Sequence, residues 1–122
     1  MATMALNQEN FEPTVESSDM VVLDFWAPWC GPCRAFGPIF EKVSALFPDV
    51  VFAKVNTDEE RELAEIFQIR SIPTLMIMRQ KIPIFYQPGM LPEQQFTDLI
   101  RKAMELDMDE VRKDMEEQMA KQ

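Results

Sequence analysis

The five residues WCGPC, at positions 29–33, contain both cysteines of this 122-residue chain. Such a close pair can form a structural disulfide, supply part of a metal site, or act as a reversible dithiol. A disulfide between Cys30 and Cys33 would close a very short loop and would stabilise the fold by only about 2 kcal/mol. A zinc site needs about four ligands, and the chain has no histidine to complete a set. A zinc ion shared between two chains stays open, but reversible dithiol chemistry is the favoured interpretation.

The composition argues against several other functions. Hydrophobic residues make up 47% of the chain, which is enough for one packed domain with an appendage. A formal net charge of −9 disfavours binding to nucleic acid, because an acidic surface repels phosphates. The absence of histidine removes the usual base of cysteine hydrolases. No apolar run is long enough for a membrane span, and the first residues, MATMALNQENFE, lack signal-peptide features. We therefore expect a cytoplasmic protein, in a compartment that keeps thiols reduced.

Four apolar segments predict the strands of a sheet, at residues 20–26, 50–56, 74–78 and 82–86. The first of them, MVVLDFW, is almost continuously apolar, which is typical of a strand buried on both faces. The last two are close enough in sequence to pair with each other. Pro83 places the final strand at an edge of the sheet, because proline cannot donate a ladder hydrogen bond.

Helical periodicity and capping signals predict four helices, at residues 7–17, 33–47, 57–67 and from Pro92 onward. Asn7 is a candidate N-cap for the first helix, and Thr57 with Glu60 fits a capping box for the third. Pro38 lies inside the second helix, where it should kink the axis. Because a helix connects the first two strands, these strands should pair in parallel. The chain is therefore predicted to be an α/β protein, with a central mixed sheet covered by helices on both faces.

Three parts of the sequence carry a resemblance to a known family. DFWAPWCGPCR (residues 24–34), IRSIPT (residues 69–74) and Gly89 resemble the thioredoxin family, and the similarity covers residues 5–105. The resemblance implies the thioredoxin fold and a protein-disulfide reductase that acts on disulfide-containing proteins and supports redox homeostasis. It also implies an NADPH-dependent thioredoxin reductase as electron donor, with no cofactor bound to this chain. The stretch RQKIP between the last two strands departs from the family, which often has a glycine there.

The expected chemistry centres on Cys30, which lies where a strand ends and a helix begins. Backbone N–H groups and the helix dipole favour the thiolate there, and the thiolate is the species that attacks a disulfide. By resemblance, Cys30 is the nucleophile that forms a mixed disulfide with the substrate, and Cys33 is the resolving thiol. Gly31 is expected to allow a tight turn, and Pro32 to preset φ for the first helical turn. The Gly-Pro pair resembles that of the reducing members of the family.

Two charged residues in the predicted strands are candidates for proton transfer. Asp24 interrupts an apolar strand, where burial should raise its pKa toward the range useful for acid–base chemistry. By resemblance, Asp24 relays the proton of Cys33, and Lys54 matches the lysine that neighbours this acid in the family. The alternatives are a hydrogen-bonded core residue or an edge charge for Asp24 and an outward-facing, solvated side chain for Lys54.

A substrate-binding groove is expected around the dithiol. The resemblance implies a cis bond before Pro73, with backbone groups of Ile72 free to pair with an extended substrate peptide. The other residues expected at this site are Trp29, Gly31, Pro32, Gly89 and Met90. Plain core packing is the alternative for Trp29, and Trp26 is expected to be structural.

Residues 106–122 extend beyond the family's usual end, which divides the chain into a domain at 1–105 and a C-terminal extension. From the end of the domain into this extension, apolar residues recur at helical spacing: Met104, Met108, Val111, Met115 and Met119. This stripe predicts one long amphipathic helix that continues from the domain. The stripe either docks on the domain or on another chain, or the extension is solvated and frayed. The oligomeric state stays undetermined. In a rival function, the groove and extension hold a partner as a binding or chaperone module and redox turnover is incidental.

Overall fold

The computed structural model describes residues 3–121, which form one five-stranded sheet and five helices. The strands are β1 (Thr3–Ala5), β2 (Met20–Trp26), β3 (Val51–Asn56), β4 (Thr74–Arg79) and β5 (Ile82–Pro88). They lie in the order β1-β3-β2-β4-β5. β3 pairs in parallel with both β1 and β2, whereas β4 pairs antiparallel with β2 and β5. The predicted mixed sheet, the parallel pairing of β2 with β3 and the edge position of β5 are confirmed.

The helices cover both faces of this sheet. They are α1 (Phe11–Glu16), α2 (Gly31–Ser44), α3 (Arg61–Ile66), α4 (Glu93–Glu105) and α5 (Met108–Ala120). Alternate residues of the central strand β2 face opposite ways, as in any strand. Val22 packs in a core with residues of α2 and α4. Val21, Leu23 and Phe25 pack in a second core with residues of α1 and α3. By the same alternation, Asp24 faces the α2 side.

Two predicted caps differ from the structure. The Asn7 side chain accepts hydrogen bonds from the backbone N–H groups of Glu9 and Asn10, so it caps the turn before α1, which begins at Phe11. The predicted capping box is wrong, because Thr57 donates its hydroxyl to the Trp26 carbonyl and α3 starts only at Arg61. Residues 57–60 are instead held as the connection between the end of β3 and the helix.

The β4–β5 hairpin turns without glycine. Its two central residues, Gln80 and Lys81, have φ values of 51° and 71°. Positive φ at both central positions is the geometry that two-residue hairpin turns favour, although such angles are costly for residues with a Cβ. The RQKIP stretch therefore makes a tight turn despite its departure from the family pattern.

The prediction of one long C-terminal helix is wrong. α4 ends at Glu105, Leu106 is extended, and Asp107 caps a separate helix, α5, by accepting from the N–H groups of Asp109 and Glu110. The cause lies on β4, where the buried Arg79 guanidinium donates to the carbonyls of Ala103, Met104 and Leu106, at 2.8, 3.3 and 3.1 Å. These bonds satisfy the end of α4 and redirect the chain.

The methionine stripe is consequently divided. Met108 is 4% exposed against the domain, whereas Met115 is 43% and Met119 is 69% exposed. Arg112 adds a contact to the domain by donating to the Gln80 side chain. The first turn and a half of α5 is therefore docked, and the remainder projects from the domain. Within residues 3–121, no helix is long and apolar enough to cross a membrane.

Candidate redox site

The two cysteines meet at the start of α2. β2 ends at Trp26, and Cys30 is the N-cap residue of α2, with extended backbone angles. The Cys30 Sγ accepts a hydrogen bond from the backbone N–H of Cys33 at 3.2 Å. The two residues are disulfide-bonded, with their Cα atoms 5.2 Å apart. The sequence therefore places one sulfur where the unpaired N–H groups of a helix stabilise negative charge.

The sulfurs lie in a small apolar cluster at the end of the sheet. Cys30 and Cys33 are 5% and 3% exposed, and they pack with Ala27, Trp26 and Ile72. The two sulfurs are therefore almost equally buried in the disulfide form. The difference between the two is in their position, since Cys30 caps the helix and Cys33 lies within its first turn.

Gly31 and Pro32 occupy the first two positions of α2, and both are exposed. The φ of Gly31 lies outside the left-handed region that favours glycine, so the turn into α2 does not depend on a glycine-only backbone angle. A Cβ placed on Gly31 would have no heavy atom within 4 Å. The residue thus leaves open space beside the sulfurs. Pro32 suits the first turn because it has no N–H to satisfy there.

The loop before β4 brings the predicted groove residues to the dithiol. The Ile72–Pro73 peptide bond is cis, as the resemblance implies. The Ile72 carbonyl oxygen lies 3.7 Å from the Cys30 Sγ. Gly89 donates its N–H to the Pro73 carbonyl at 2.7 Å, with φ at +95°. Only glycine adopts that angle without strain, so Gly89 is needed to join β5 to this loop. Met90 follows it and is partly exposed.

The two tryptophans have different environments. Trp29 is 67% exposed, so core packing is wrong for this residue. Its indole N–H donates to Asp58 at 2.9 Å, and this bond fixes the ring beside Cys30. Asp58 was not identified from the sequence, because it is the first of three consecutive acids and nothing in the sequence distinguishes it from the other two. Trp26 is half-buried against the dithiol, in agreement with a structural role.

Asp24 is a fully buried carboxylate in the middle of β2. Its exposure is 0%, and neither oxygen has a hydrogen-bond partner among residues 3–121. Burial raises the pKa of Asp24 to about 7, and the positive charge of Lys54 offsets part of that effect. An edge charge and a hydrogen-bonded core carboxylate, the two alternatives, are both wrong. A group with this pKa gains and loses a proton near neutral pH.

Lys54 lies opposite Asp24 in the parallel β2–β3 register. Its side chain is half-buried, with the Nζ 4.4 Å from the centroid of the Trp26 ring, so it is not a fully solvated lysine. A Cβ on Gly37 of α2 would lie 3.9 Å from the same Nζ. The ammonium group is therefore enclosed between β3 and α2, close to the buried acid. Within the described part of the chain, no cluster of three or more His, Cys, Asp or Glu side chains is arranged to hold a metal ion.

Comparison with known proteins agrees with this geometry. The thioredoxin family model matches residues 2–102. The chain is 54% identical over 119 residues to a Streptomyces coelicolor protein that carries the name thioredoxin 2, with 98% of this chain and 89% of the relative covered. It is 40% identical over 105 residues to a thioredoxin of Alicyclobacillus acidocaldarius, covering 82% of this chain and all of that one. The Streptomyces match includes most of residues 106–122, which lie beyond the family model.

Solved structures with a similar fold are also thioredoxins. A mutant thioredoxin of Halobacterium salinarum superposes with a TM-score of 0.78 at 30% identity, covering 86% of this chain and 92% of the other. A Plasmodium falciparum thioredoxin gives 0.75 at 30% identity, with 82% and 97% covered. The chain belongs to the thioredoxin family and is a protein dithiol–disulfide oxidoreductase.

Proposed function

We propose that Cys30 is the attacking thiol and Cys33 the resolving thiol of this oxidoreductase. The observation that carries the proposal is the position of Cys30 as the N-cap of α2, where its Sγ accepts the Cys33 N–H. A thiolate at that position is stabilised by the helix dipole and by this hydrogen bond. Cys33 is already part of the helix, so its sulfur is placed to attack Cys30 rather than an incoming protein.

The reaction then takes two exchange steps. The Cys30 thiolate attacks one sulfur of a substrate disulfide; a new S–S bond forms, the substrate bond breaks, and the released substrate thiolate takes up a proton. Cys33 then loses its proton and attacks the Cys30 sulfur; the Cys30–Cys33 bond forms, the mixed disulfide breaks, and the second substrate thiolate is released and takes up a proton. Two electrons and two protons pass to the substrate, and the Cys30–Cys33 disulfide remains.

Asp24 is the proposed acceptor of the Cys33 proton. It lies on the face of β2 that packs against α2, the helix that carries Cys33, and its carboxylate has no competing hydrogen bond among residues 3–121. Its pKa of about 7 suits proton exchange near neutral pH. Lys54 is proposed to stabilise the ionised carboxylate, since it opposes the effect of burial.

The substrate is proposed to bind as an extended segment beside Ile72. Pro73 has no N–H, so the neighbouring backbone groups of Ile72 remain for an incoming strand. The exposed rings and side chains of Trp29, Pro32 and Met90 supply apolar contact, and Gly31 and Gly89 leave room for the approach of the substrate backbone.

The proposal also includes an electron donor, a compartment and a division of the chain into two parts. Thioredoxins generally work with thioredoxin reductase and with disulfide-containing proteins, and we propose an NADPH-dependent reductase as the electron donor for this chain. The cytoplasm is the proposed compartment. The division into a catalytic domain at 1–105 and an extension at 106–122 is also proposed, and no observation on residues 3–121 favours the rival binding-module function.

The test is insulin reduction with dithiothreitol as electron source. The wild type is expected to accelerate the reaction, and Cys30→Ser and Cys33→Ser should each fall to the dithiothreitol background. Ser17→Ala, an exposed hydroxyl far from the dithiol in sequence, is the matched surface control. Acceleration by Cys30→Ser at the wild-type rate would refute the assignment.

A further inference from the structure

An open cavity of about 670 Å³ lies between α3 and the loop that leads to Pro73. Arg61 and Glu65 line it from α3, and Gln68 and Arg70 line it from the loop. A second cavity, of about 510 Å³, shares Gln68 and Arg70 and continues toward β5. The two together form a depression along one side of the segment that approaches the dithiol.

Two residues that line this depression are close in sequence to residues that contact the redox site. Thr57, at one end, is followed by Asp58, which holds the exposed Trp29 ring. Arg70, at the other end, precedes by two residues Ile72, whose carbonyl lies 3.7 Å from the Cys30 Sγ. Residues in an extended chain advance about 3.3 Å each. In a substrate strand paired with Ile72, the residue two positions from the cysteine lies about 7 Å along the strand, a distance that the long Arg70 side chain, two residues before Ile72, can span.

The charges around the depression differ from those of the whole chain. Arg61 and Arg70 are exposed, and neither belongs to any ion pair formed within residues 3–121. Arg61 makes only a 3.4 Å bond from its Nε to the Asp58 carbonyl. Glu65 is the single acid among the residues that line the first cavity, so the lining carries two guanidinium groups and one carboxylate, on a chain whose formal net charge is −9.

We propose that Arg61 and Arg70 form a specificity subsite that binds an acidic side chain of the substrate protein, near the disulfide being reduced. The inference rests on the exchange site at Cys30 proposed above. A guanidinium matches a carboxylate with two parallel hydrogen bonds, which gives selectivity for position as well as charge. The overall negative charge repels acidic proteins at long range, so the selection concerns one side chain at the site. Exposed charge pairs of this kind change affinity by up to about fivefold each.

The test uses disulfide-cyclised peptides that differ only in the residue two positions from a cysteine, on either side, which is Glu, Gln or Lys. The wild type is expected to reduce the Glu peptide with a kcat/KM about three- to tenfold above the Lys peptide. In Arg61→Gln/Arg70→Gln this ratio should fall to within about twofold, and about 0.5 M salt should reduce the wild-type ratio in the same way. Arg101→Gln, the same change on α4, is the control and should keep the ratio.

The Gln peptide separates the two proposals. Equal rates for the three peptides with the wild type, or an unchanged ratio in the double variant, would overturn the subsite while leaving the exchange reaction intact. Failure of the wild type to reduce the Gln peptide would overturn the exchange site, and the subsite with it. Glu65→Gln removes the opposing charge and is expected to increase the preference for Glu; a decrease would contradict the proposed role of the two arginines.

Discussion

Asp24 on β2 and Arg79 on β4 are two buried charged residues of neighbouring strands, and their surroundings are opposite. Arg79 donates to three carbonyls at the end of α4 and to Asp19, whose Oδ2 lies 3.1 Å from its Nε. Asp24 has no hydrogen bond among residues 3–121, and burial raises its pKa to about 7. A buried charge without partners destabilises a fold, and removal of a buried charge that has partners leaves those partners unpaired. Arg79 therefore secures the end of α4, whereas Asp24 is a costly unpaired group on the face of β2 that packs against α2, the helix that carries Cys33.

Removal of Arg79 should have the largest effect on stability. Arg79→Met keeps the apolar stem but leaves three carbonyls and Asp19 without their donor. We expect the free energy of unfolding to fall by about 3 kcal/mol, measured by chemical denaturation. The rate of insulin reduction should stay unchanged where the protein is folded.

Arg101→Met is the matched control, because that guanidinium is exposed and its ion pair with Asp98 is weak. Its expected change in unfolding free energy is below about 0.5 kcal/mol. An Arg79→Met variant as stable as this control would show that the guanidinium is not what secures the start of the extension.

Asp24 should make the protein less stable as the pH rises. Its pKa is about 7 in the folded state, against about 3.9 for an unfolded aspartate, so between these values the folded state binds more protons than the unfolded state. The contribution of Asp24 to the unfolding free energy should therefore fall by about 2 to 3 kcal/mol from pH 5 to pH 8. Above the folded pKa the loss levels off.

The check is the difference between the wild type and Asp24→Asn across that pH range. Asp24→Asn should lose this component of the pH dependence and become relatively more stable toward pH 8, while insulin reduction slows on the order of tenfold. The exposed Asp49→Asn serves as control and should keep the wild-type slope. Parallel stability curves for the wild type and Asp24→Asn would contradict the raised pKa.

Truncation of the extension should have the smallest effects on stability. The loss of stability should come from the first residues of α5 and not from the rest of the helix. Removal of residues 113–122 takes away a segment whose described residues, 113–121, are exposed, and should leave the unfolding free energy unchanged within about 0.5 kcal/mol. Removal of residues 107–122 also uncovers the surface that Met108 buries, for a loss of about 2 kcal/mol. Equal stability of the two truncated proteins would show that Met108 does not secure the extension.

Much of the fold follows from the sequence because its signals are local. The apolar run at residues 20–26 coincides with β2, and the two cysteines pack against Ile72, which precedes Pro73 in the cis bond that the resemblance implies. β1 was missed because three edge residues, TMA, carry no pattern of their own. Its partner β3 supplies the hydrogen bonds, and nothing near Thr3 in sequence indicates that pairing.

The remaining differences depend on contacts between distant residues. The stripe of methionines is periodic across residues 104–119, yet the helix breaks at Leu106 because Arg79, on another strand, binds the carbonyls there. Asp58 acquires its role only through Trp29, which lies 29 positions earlier. Whether Asp24 has hydrogen-bond partners likewise depends on every element packed around it. The sequence therefore indicated a buried acid but not its lack of partners among residues 3–121.

The most direct measurement of the central claim is the site of the mixed disulfide. Reduced Cys33→Ser and Cys30→Ser proteins are each mixed with a disulfide substrate, and the covalent adducts are mapped by mass spectrometry. The account predicts that Cys33→Ser accumulates an adduct on Cys30, because no resolving thiol remains, and that Cys30→Ser forms little or none. An adduct on Cys33 in the Cys30→Ser protein, formed as fast as the first, would contradict the assignment of Cys30 as the attacking thiol.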